Sequence, residues 1–86
     1  MAEYRVTFAR SAGKELEDLD RKLAMRILQR IEGLATQPRP PGVRKLRGAV
    51  SLWRLRVGDY RVIYSVDDSI LVVDIIAVRH RSDAYR

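Results

Sequence analysis

Cysteine is absent from this sequence, and histidine occurs once. A chain without cysteine has no disulfide framework, no thiolate nucleophile and no cysteine zinc site. One histidine and isolated acids do not make the ligand cluster that metal-dependent hydrolysis requires. No glycine-rich loop is present to hold the phosphates of a nucleotide. We therefore expect neither a metal nor another cofactor.

Long apolar runs are missing as well. The N-terminal segment MAEYRVTFAR lacks the apolar core of a signal peptide, and the longest apolar runs fall far short of the roughly 20 residues of a membrane span. We expect a soluble, cytoplasmic protein that makes no membrane contact. A length of 86 residues suits a single domain over residues 1–86 with one modest core.

Positive charge, by contrast, is abundant, and most of it is arginine. The chain has 17 Lys and Arg against 11 Asp and Glu, a net charge of +6, and 14 of the basic residues are Arg. The guanidinium group binds phosphate through paired hydrogen bonds and stays protonated, so this composition favours nucleic acid or another polyanion as ligand. An acidic protein partner, or solubility alone, is the alternative. The net charge after Val43 (+4) exceeds that before it (+2).

Residues 52–64, LWRLRVGDYRVIY, predict a β-hairpin with chemically different faces. Gly58 and Asp59 form its turn, because glycine at the first position accepts the positive φ of a type II′ loop. The register then places apolar pairs on one face: Val57 with Tyr60, Leu55 with Val62, and Trp53 with Tyr64. The other face carries Arg54, Arg56 and Arg61. Because two of these arginines lie directly opposite each other, they repel. A polyanionic ligand is a reason to keep them, and a solvated charged face is the alternative.

The segment before the hairpin predicts two helices. Apolar spacing indicates a short helix capped by Ser11 and a longer one capped by Asp20. The three prolines of residues 37–42 end the second helix and lead into an extended loop. We expect the two helices to form an antiparallel pair whose apolar seam lies on a sheet.

Strand patterns surround these helices. Residues 4–8 alternate as a half-buried strand, and residues 45–48 suggest a brief strand that ends in a turn. The apolar segment 69–78 predicts a central strand in which Asp74 pairs with an arginine. The order is β-α-α-β-β-β. We therefore predict an α+β fold, a mainly antiparallel four-stranded sheet with a helical hairpin packed on one face.

The basic residues of the hairpin and the C-terminus suit one chemical problem. Cleavage of RNA without a metal needs a base for the 2′-hydroxyl, positive charge for the phosphorane and help for the leaving 5′-oxygen. Arginines supply the charge, and Tyr85 or His80 is the candidate base. The alternatives are a tail tyrosine packed on the sheet edge and a solvated histidine. A Ser-His-Asp arrangement of Ser82 and His80 with Asp74 or Asp83 has no supporting motif.

Three segments of the chain together resemble the RelE-type toxins of the RelE/ParE superfamily: KLRG at 45–48, WRLRVGDYRVIY at 53–64 and AVRHRSDAYR at 77–86. The similarity covers essentially the whole chain in order and spacing, and GDYRVIY with a terminal RHRSDAY is its more specific part. The resemblance implies a microbial toxin of a type II toxin-antitoxin pair with the RelE fold. It also implies entry into the ribosomal A site and cleavage of mRNA there.

Roles for individual side chains follow from the same resemblance. Arg54 and Arg56 match basic residues that contact RNA and assist proton transfer, and Arg61 matches the arginine that stabilises the transition state. Arg79 matches the residue that binds the scissile phosphate, and Tyr85 matches a tyrosine that orients or activates the nucleophile. Further RNA-binding residues are expected at Lys45, Arg47, His80 and Arg81. Arginine at 54 and 56, where some members have lysine, keeps its proton and moves the expected base toward Tyr85.

Two other functions stay open on the same fold. A ParE-type inhibitor of DNA gyrase would have no nuclease chemistry, and a weakly active toxin would act mainly in a repressor complex with its antitoxin. The expected partners are a cognate antitoxin, the ribosome and mRNA, with operator DNA reached through the antitoxin. We expect that antitoxin to be small and to cover the basic face with an acidic or amphipathic segment.

Overall fold

The structure, a computed structural model, describes residues 3–46 and 52–82. The elements are β1 (Arg5–Phe8), α1 (Arg10–Glu17), α2 (Arg21–Gly33), β2 (Arg44–Lys45), β3 (Leu52–Val57), β4 (Tyr60–Asp67) and β5 (Val72–His80). They form one sheet of order β1-β5-β4-β3-β2, in which β1 is parallel to β5 and the other neighbours are antiparallel. The predicted α+β class is confirmed.

The described sheet has five strands, whereas the predicted order counted four. The strand left out of that count is β2, which is only two residues long and pairs with β3 at the sheet edge. The sequence did suggest a brief strand at 45–48, and the structure places it at Arg44–Lys45. Arg47 and Gly48, which the sequence placed in the same brief strand, lie outside the described residues.

The β3–β4 hairpin has the predicted register at every pair. Gly58 has a φ of 58°, and Asp59 does not share a positive φ, as a type II′ turn requires. Trp53 lies opposite Tyr64 and Arg56 lies opposite Arg61. The turn glycine and the alternating flanks therefore determine this register together.

The N-cap predicted from the sequence is confirmed for α2 and wrong for α1. Asp20 caps α2 by accepting a hydrogen bond from the Leu23 N–H at 3.3 Å. Ser11 does not cap α1, which begins at Arg10 after Ala9, a residue whose own side chain makes no cap. The Ala9 N–H instead donates to the Ile75 oxygen at 2.8 Å, so the backbone leaves the sheet and enters the helix without a spacer. Ser11 donates its hydroxyl to the Ile76 oxygen at 3.4 Å.

Both helices lie on one face of the sheet, as predicted, and the core fills the space between. The core side chains are Ala12, Leu16, Ile27, Ile31, Leu34, Leu55, Val57, Val62, Tyr64, Val66, Val73, Ile75 and Val78. We call this side of the sheet the helix face. Neither helix of the described residues is long and apolar enough to cross a membrane.

Strand β5 differs from its prediction in bounds, position and pairing. It begins at Val72, because Asp67 turns the chain by accepting from the N–H groups of Ser69 and Ile70 at 3.0 and 3.3 Å. It is an interior strand, but β4 occupies the centre of the sheet. Asp74 accepts a hydrogen bond from the Thr7 hydroxyl at 2.8 Å, and not from the arginine that the sequence suggested.

A β-bulge interrupts the pairing of β4 with β5. Ile63 pairs with Ala77 and Tyr64 pairs with Ile75, so Ile76 has no partner in β4. Such a bulge bends a strand and shifts its side-chain alternation by one residue. Before the bulge Ile75 faces the helices, and after it Val78 does.

Candidate nucleic-acid interface

Five arginines share the sheet side opposite the helices. Residues directly paired across antiparallel strands point to the same face, and three such pairs consist of arginine alone: Arg44 with Arg54, Arg56 with Arg61, and Arg61 with Arg79. We call this side, with Arg44, Arg54, Arg56, Arg61 and Arg79, the arginine face. Arg54, Arg56 and Arg61 share one face as predicted, and Arg79 joins them.

These arginines form two rows that run across the strands. Arg56, Arg61 and Arg79 occupy neighbouring strands β3, β4 and β5, and at a strand spacing of about 4.8 Å the row spans roughly 10 Å. The second row joins Arg44 to Arg54 on the β2–β3 side.

Two of the row's side chains are held by named partners. The Nε of Arg56 donates to the Gly58 oxygen of the hairpin turn at 3.2 Å. The Nε of Arg79 donates to Glu15 of α1 at 2.6 Å, and the same carboxylate accepts the Val78 N–H at 2.8 Å. Both guanidinium groups are thus held through Nε, and a guanidinium group has further N–H donors on its terminal nitrogens.

Arg44, which the sequence did not single out, and Lys45, which was expected to bind RNA, lie on opposite faces of the sheet. Arg44 pairs with Arg54 and joins the arginine face, whereas Lys45 pairs with Trp53 and lies on the helix face. The alternation of a strand already required the two neighbours to point apart. What the sequence lacked was the register of β2, which decides which of them faces the arginines.

His80 also lies on the helix face, away from the arginines. It pairs with Tyr60, and the two rings meet edge to face with centroids 5.3 Å apart. Its Nδ1 lies 2.9 Å from the Ser82 hydroxyl. This position separates His80 from the row in which it was predicted to bind RNA or to act as a base.

The remaining predicted residues lie at or beyond the end of the described chain. The Arg81 N–H donates to the Asp59 oxygen at 2.8 Å, which holds the exit of β5 against the hairpin turn. Tyr85 and Arg47 lie outside the described residues, as does Asp83. No group of three or more His, Cys, Asp or Glu side chains suited to a metal occurs in residues 3–46 and 52–82.

A separate polar cluster fastens the proline segment to the sheet. Arg39 binds Asp68 through two hydrogen bonds of 3.2 and 2.8 Å, and its guanidinium carbon lies 5.2 Å from the centre of the Trp53 ring. Tyr4 donates to the same carboxylate at 2.6 Å. Hydrogen bonds from Arg39 and Tyr4 hold the pKa of Asp68 below its usual value. The bond to Asp68 in turn raises the pKa of Tyr4.

Tyr64 completes this attachment from inside the core. Its hydroxyl donates to the Pro38 oxygen at 2.7 Å, while its ring is fully buried on the helix face. Burial raises the pKa of Tyr64 to about 12. The role of this cluster is structural, because its contacts attach the proline segment to the sheet. Its acidic and aromatic groups do not form part of the arginine face.

Comparison with known proteins shows the family of this chain. A model described as "ParE toxin of type II toxin-antitoxin system, parDE" matches residues 6–85. The chain belongs to this toxin family. One relative, a putative RelE-like toxin protein of Escherichia coli, is 33% identical over 86 residues, which cover 95% of this chain and 90% of that protein. Another, Toxin RelE of Mycobacterium tuberculosis, is 33% identical over 84 residues, covering 96% and 87%.

Solved structures of the RelE/ParE superfamily have the same architecture. In an archaeal RelE–RelB complex from Pyrococcus horikoshii, the matching chain superposes with a TM-score of 0.83 and 36% identity, over 98% of this chain and 100% of that chain. In the intact E. coli RelBE toxin-antitoxin complex, the TM-score is 0.80 with 26% identity, over 90% and 95%. The predicted membership of the RelE-type toxins is confirmed.

Proposed function

We propose that this toxin is a ribosome-dependent endoribonuclease that cuts mRNA without a metal. The observation that carries the proposal is the row of Arg56, Arg61 and Arg79 across three neighbouring strands. A fixed row of guanidinium groups stabilises the negative charge that develops on phosphorus during phosphoryl transfer. The family membership supports a toxin role for this face.

The chemistry assigns a part to each side chain. The 2′-hydroxyl oxygen attacks the adjacent phosphorus, and its proton passes to the base. The bond to the 5′-oxygen then breaks, which leaves a 2′,3′-cyclic phosphate, and the departing 5′-oxygen takes up a proton to become a 5′-hydroxyl. Arg61 stabilises the phosphorane, Arg79 binds the scissile phosphate, and Arg54 and Arg56 contact the RNA and assist proton transfer.

Tyr85 is the base that we propose. The helix-face position of His80 beside Tyr60 is a reason to prefer the tyrosine. A guanidinium group serves better as an electrostatic group than as a base, so arginine at positions 54 and 56 is a second reason to prefer the tyrosine. Arg47 and Arg81 are proposed to hold the RNA on either side.

The proposed partners follow from this activity. The matching chains of solved relatives occur in RelE–RelB complexes, and we propose a comparable small antitoxin for this chain, encoded beside it. An acidic or amphipathic antitoxin segment would neutralise the basic face, and the pair would bind operator DNA. The ribosome and mRNA are the proposed targets, in the cytoplasm.

The test uses a translating extract and primer extension on a defined mRNA. We expect wild-type protein to produce cuts phased with the ribosomal A site. The Arg61→Ala and Tyr85→Phe variants should lose them by about 100-fold or more, the usual effect of removing one transition-state contact or proton-transfer group. Arg30→Ala, which removes an equal charge from an exposed position of α2, is the matched control. Full cleavage by the double variant would overturn the assignment.

A ParE-type gyrase inhibitor is the second candidate, because the matching family model is that of the ParE toxins. It predicts intact mRNA in the same extract and loss of DNA supercoiling by purified gyrase. Running both assays on one preparation separates the two functions. Growth without arrest when the chain is expressed alone would indicate the weakly active alternative.

A further inference from the structure

Helix α1 places one acid beside the arginine face. Glu15 accepts the Arg79 Nε–H through one carboxylate oxygen at 2.6 Å and the Val78 N–H through the other at 2.8 Å. We infer that Glu15 is a positioning residue that orients the Arg79 guanidinium for an RNA phosphate. This inference rests on the proposed function for its ligand and on the structure for its geometry.

The hydrogen bond from the Val78 N–H holds the Glu15 carboxylate in position. Strand β1 ends at Phe8, so β5 has no neighbouring strand on that side beyond Ile75. Two α1 side chains satisfy the edge instead, Ser11 at the Ile76 oxygen and Glu15 at the Val78 N–H. A carboxylate tied to a strand backbone is less mobile than one in an ordinary surface ion pair, which orients its partner only weakly.

The hydrogen bond from Arg79 to Glu15 uses only one side of the guanidinium group. Glu15 contacts Nε, and a guanidinium group in this position still presents its two terminal nitrogens as a fork that matches phosphate. The Arg79 side chain is 48% exposed, whereas that of Glu15 is 27% exposed. The acid is therefore the less accessible partner, and the arginine carries the surface on which an anion can bind.

The opposite role for Glu15 predicts the opposite result. If the carboxylate merely neutralised Arg79 and competed with phosphate, its removal would strengthen RNA binding and speed cleavage. If it positions Arg79, its removal lowers the cleavage rate even though the protein gains positive charge. Long-range electrostatics alone favours the first result, so the direction of the change discriminates between the two roles.

The decisive variant is Glu15→Gln. The glutamine oxygen can still accept the Val78 N–H, while the charge that holds Arg79 is lost. We expect the saturated rate of ribosome-dependent cleavage to fall about tenfold, with RNA affinity unchanged or higher. Glu17→Gln changes the net charge equally from the exposed side of the same helix and should leave the rate unchanged. An unchanged or faster rate in Glu15→Gln would overturn the inference.

A double-mutant cycle with Arg79→Lys separates positioning from a general structural role. Lysine lacks the guanidinium fork, so Glu15→Gln should cause little further loss in that background. If Glu15 only supported the fold, its effect would multiply with that of Arg79→Lys. Multiplying losses would therefore contradict the inference.

An NMR measurement tests the contact between Glu15 and Arg79 independently of nuclease activity. In wild-type protein the Arg79 ¹⁵Nε–¹Hε cross-peak should be protected from solvent exchange by its hydrogen bond to Glu15. Protection should be lost in Glu15→Gln and kept in Glu17→Gln. Protected signals in a protein that cuts no RNA would overturn the proposed function but keep the orientation of Arg79. An unprotected wild-type signal would overturn the inference itself.

Discussion

The two faces of the sheet are made by the same strands, yet they have opposite chemistry. On β4, Val62 and Tyr64 are fully buried under the helices, while Arg61 between the hairpin turn and Val62 points to the arginine face. Alternation thus lets one strand supply buried side chains to the helix face and an arginine to the opposite face. We therefore expect substitutions on the arginine face to affect the stability of the fold less than substitutions under the helices do.

The free energies of charge repulsion and of apolar burial explain why the sheet tolerates its arginine face. Each pair of like charges directly opposite each other costs roughly 0.2–1 kcal/mol. Burial of a single Val, Leu or Ile side chain contributes about 1.5–3 kcal/mol. The three arginine pairs are therefore outweighed by a few residues on the helix face of the same strands.

Substitutions on the two faces should differ most in stability. Ile75→Ala creates a cavity at a fully buried position, and we expect the free energy of unfolding to fall by about 2–5 kcal/mol. Arg56→Ala, on the arginine face, should change it by less than about 1 kcal/mol and relieve repulsion with Arg61. Urea unfolding followed by circular dichroism measures both. Comparable losses in the two variants would contradict the separation of the faces.

Tyr64 sharpens the comparison because its titratable side chain is fully buried on the helix face. Its pKa of about 12 in the folded protein exceeds the usual value of about 10 in the unfolded chain. The folded state therefore keeps a proton that the unfolded state loses, and stability should fall as pH rises from 10 through 12, by up to about 1.4 kcal/mol per pH unit.

Unfolding measured across that pH range in Tyr64→Phe checks this prediction. The variant should show a shallower fall, although it also loses the bond to the Pro38 oxygen at neutral pH. Some pH dependence should remain, because the pKa of Tyr4 is raised as well. The same alkaline slope in wild type and Tyr64→Phe would show that the Tyr64 hydroxyl is not protected by burial.

Arg44 and Lys45 give the finest test, since neighbouring residues of like charge lie on opposite faces. If the arginine face binds RNA, Arg44→Ala should weaken binding and reduce the slope of log affinity against log salt by about 0.7, the value for one phosphate contact on a single strand. Lys45→Ala should leave that slope nearly unchanged. Fluorescence anisotropy with a short RNA at several salt concentrations measures both variants, and equal slopes would remove the distinction.

Local patterns predicted the parts of the structure that local physics determines. The turn at Gly58, the alternation around it and the Asp20 cap each involve residues a few positions apart, so the sequence contains the complete signal. The three arginines of β3 and β4 could be assigned to one face for that reason, whereas the face of Arg79 depends on the bulge in β5. Their proposed roles came from family resemblance and stay proposals.

Other features depend on contacts between distant segments. Glu15 meets Val78 across 63 positions of the chain, and no pattern within α1 marks it among the neighbouring acids. Leu71 adopts a φ of 56° although non-glycine residues rarely do, so the start of β5 was placed too early. His80 and Arg79 were both expected to contact RNA, but adjacent strand residues point apart, so their side chains lie on opposite faces.

The bulge at Ile76 has a consequence for how this surface is encoded. Val73 and Ile75 face the helices, and with unbroken alternation Arg79 would face them too. The additional residue shifts the alternation by one position, so that each side chain after it lies on the face opposite to the one that unbroken alternation would give. A toxin chain with one residue deleted there would keep its composition nearly intact while turning Arg79 inward and Val78 outward. The position of this guanidinium therefore depends on a count of residues as much as on their identity.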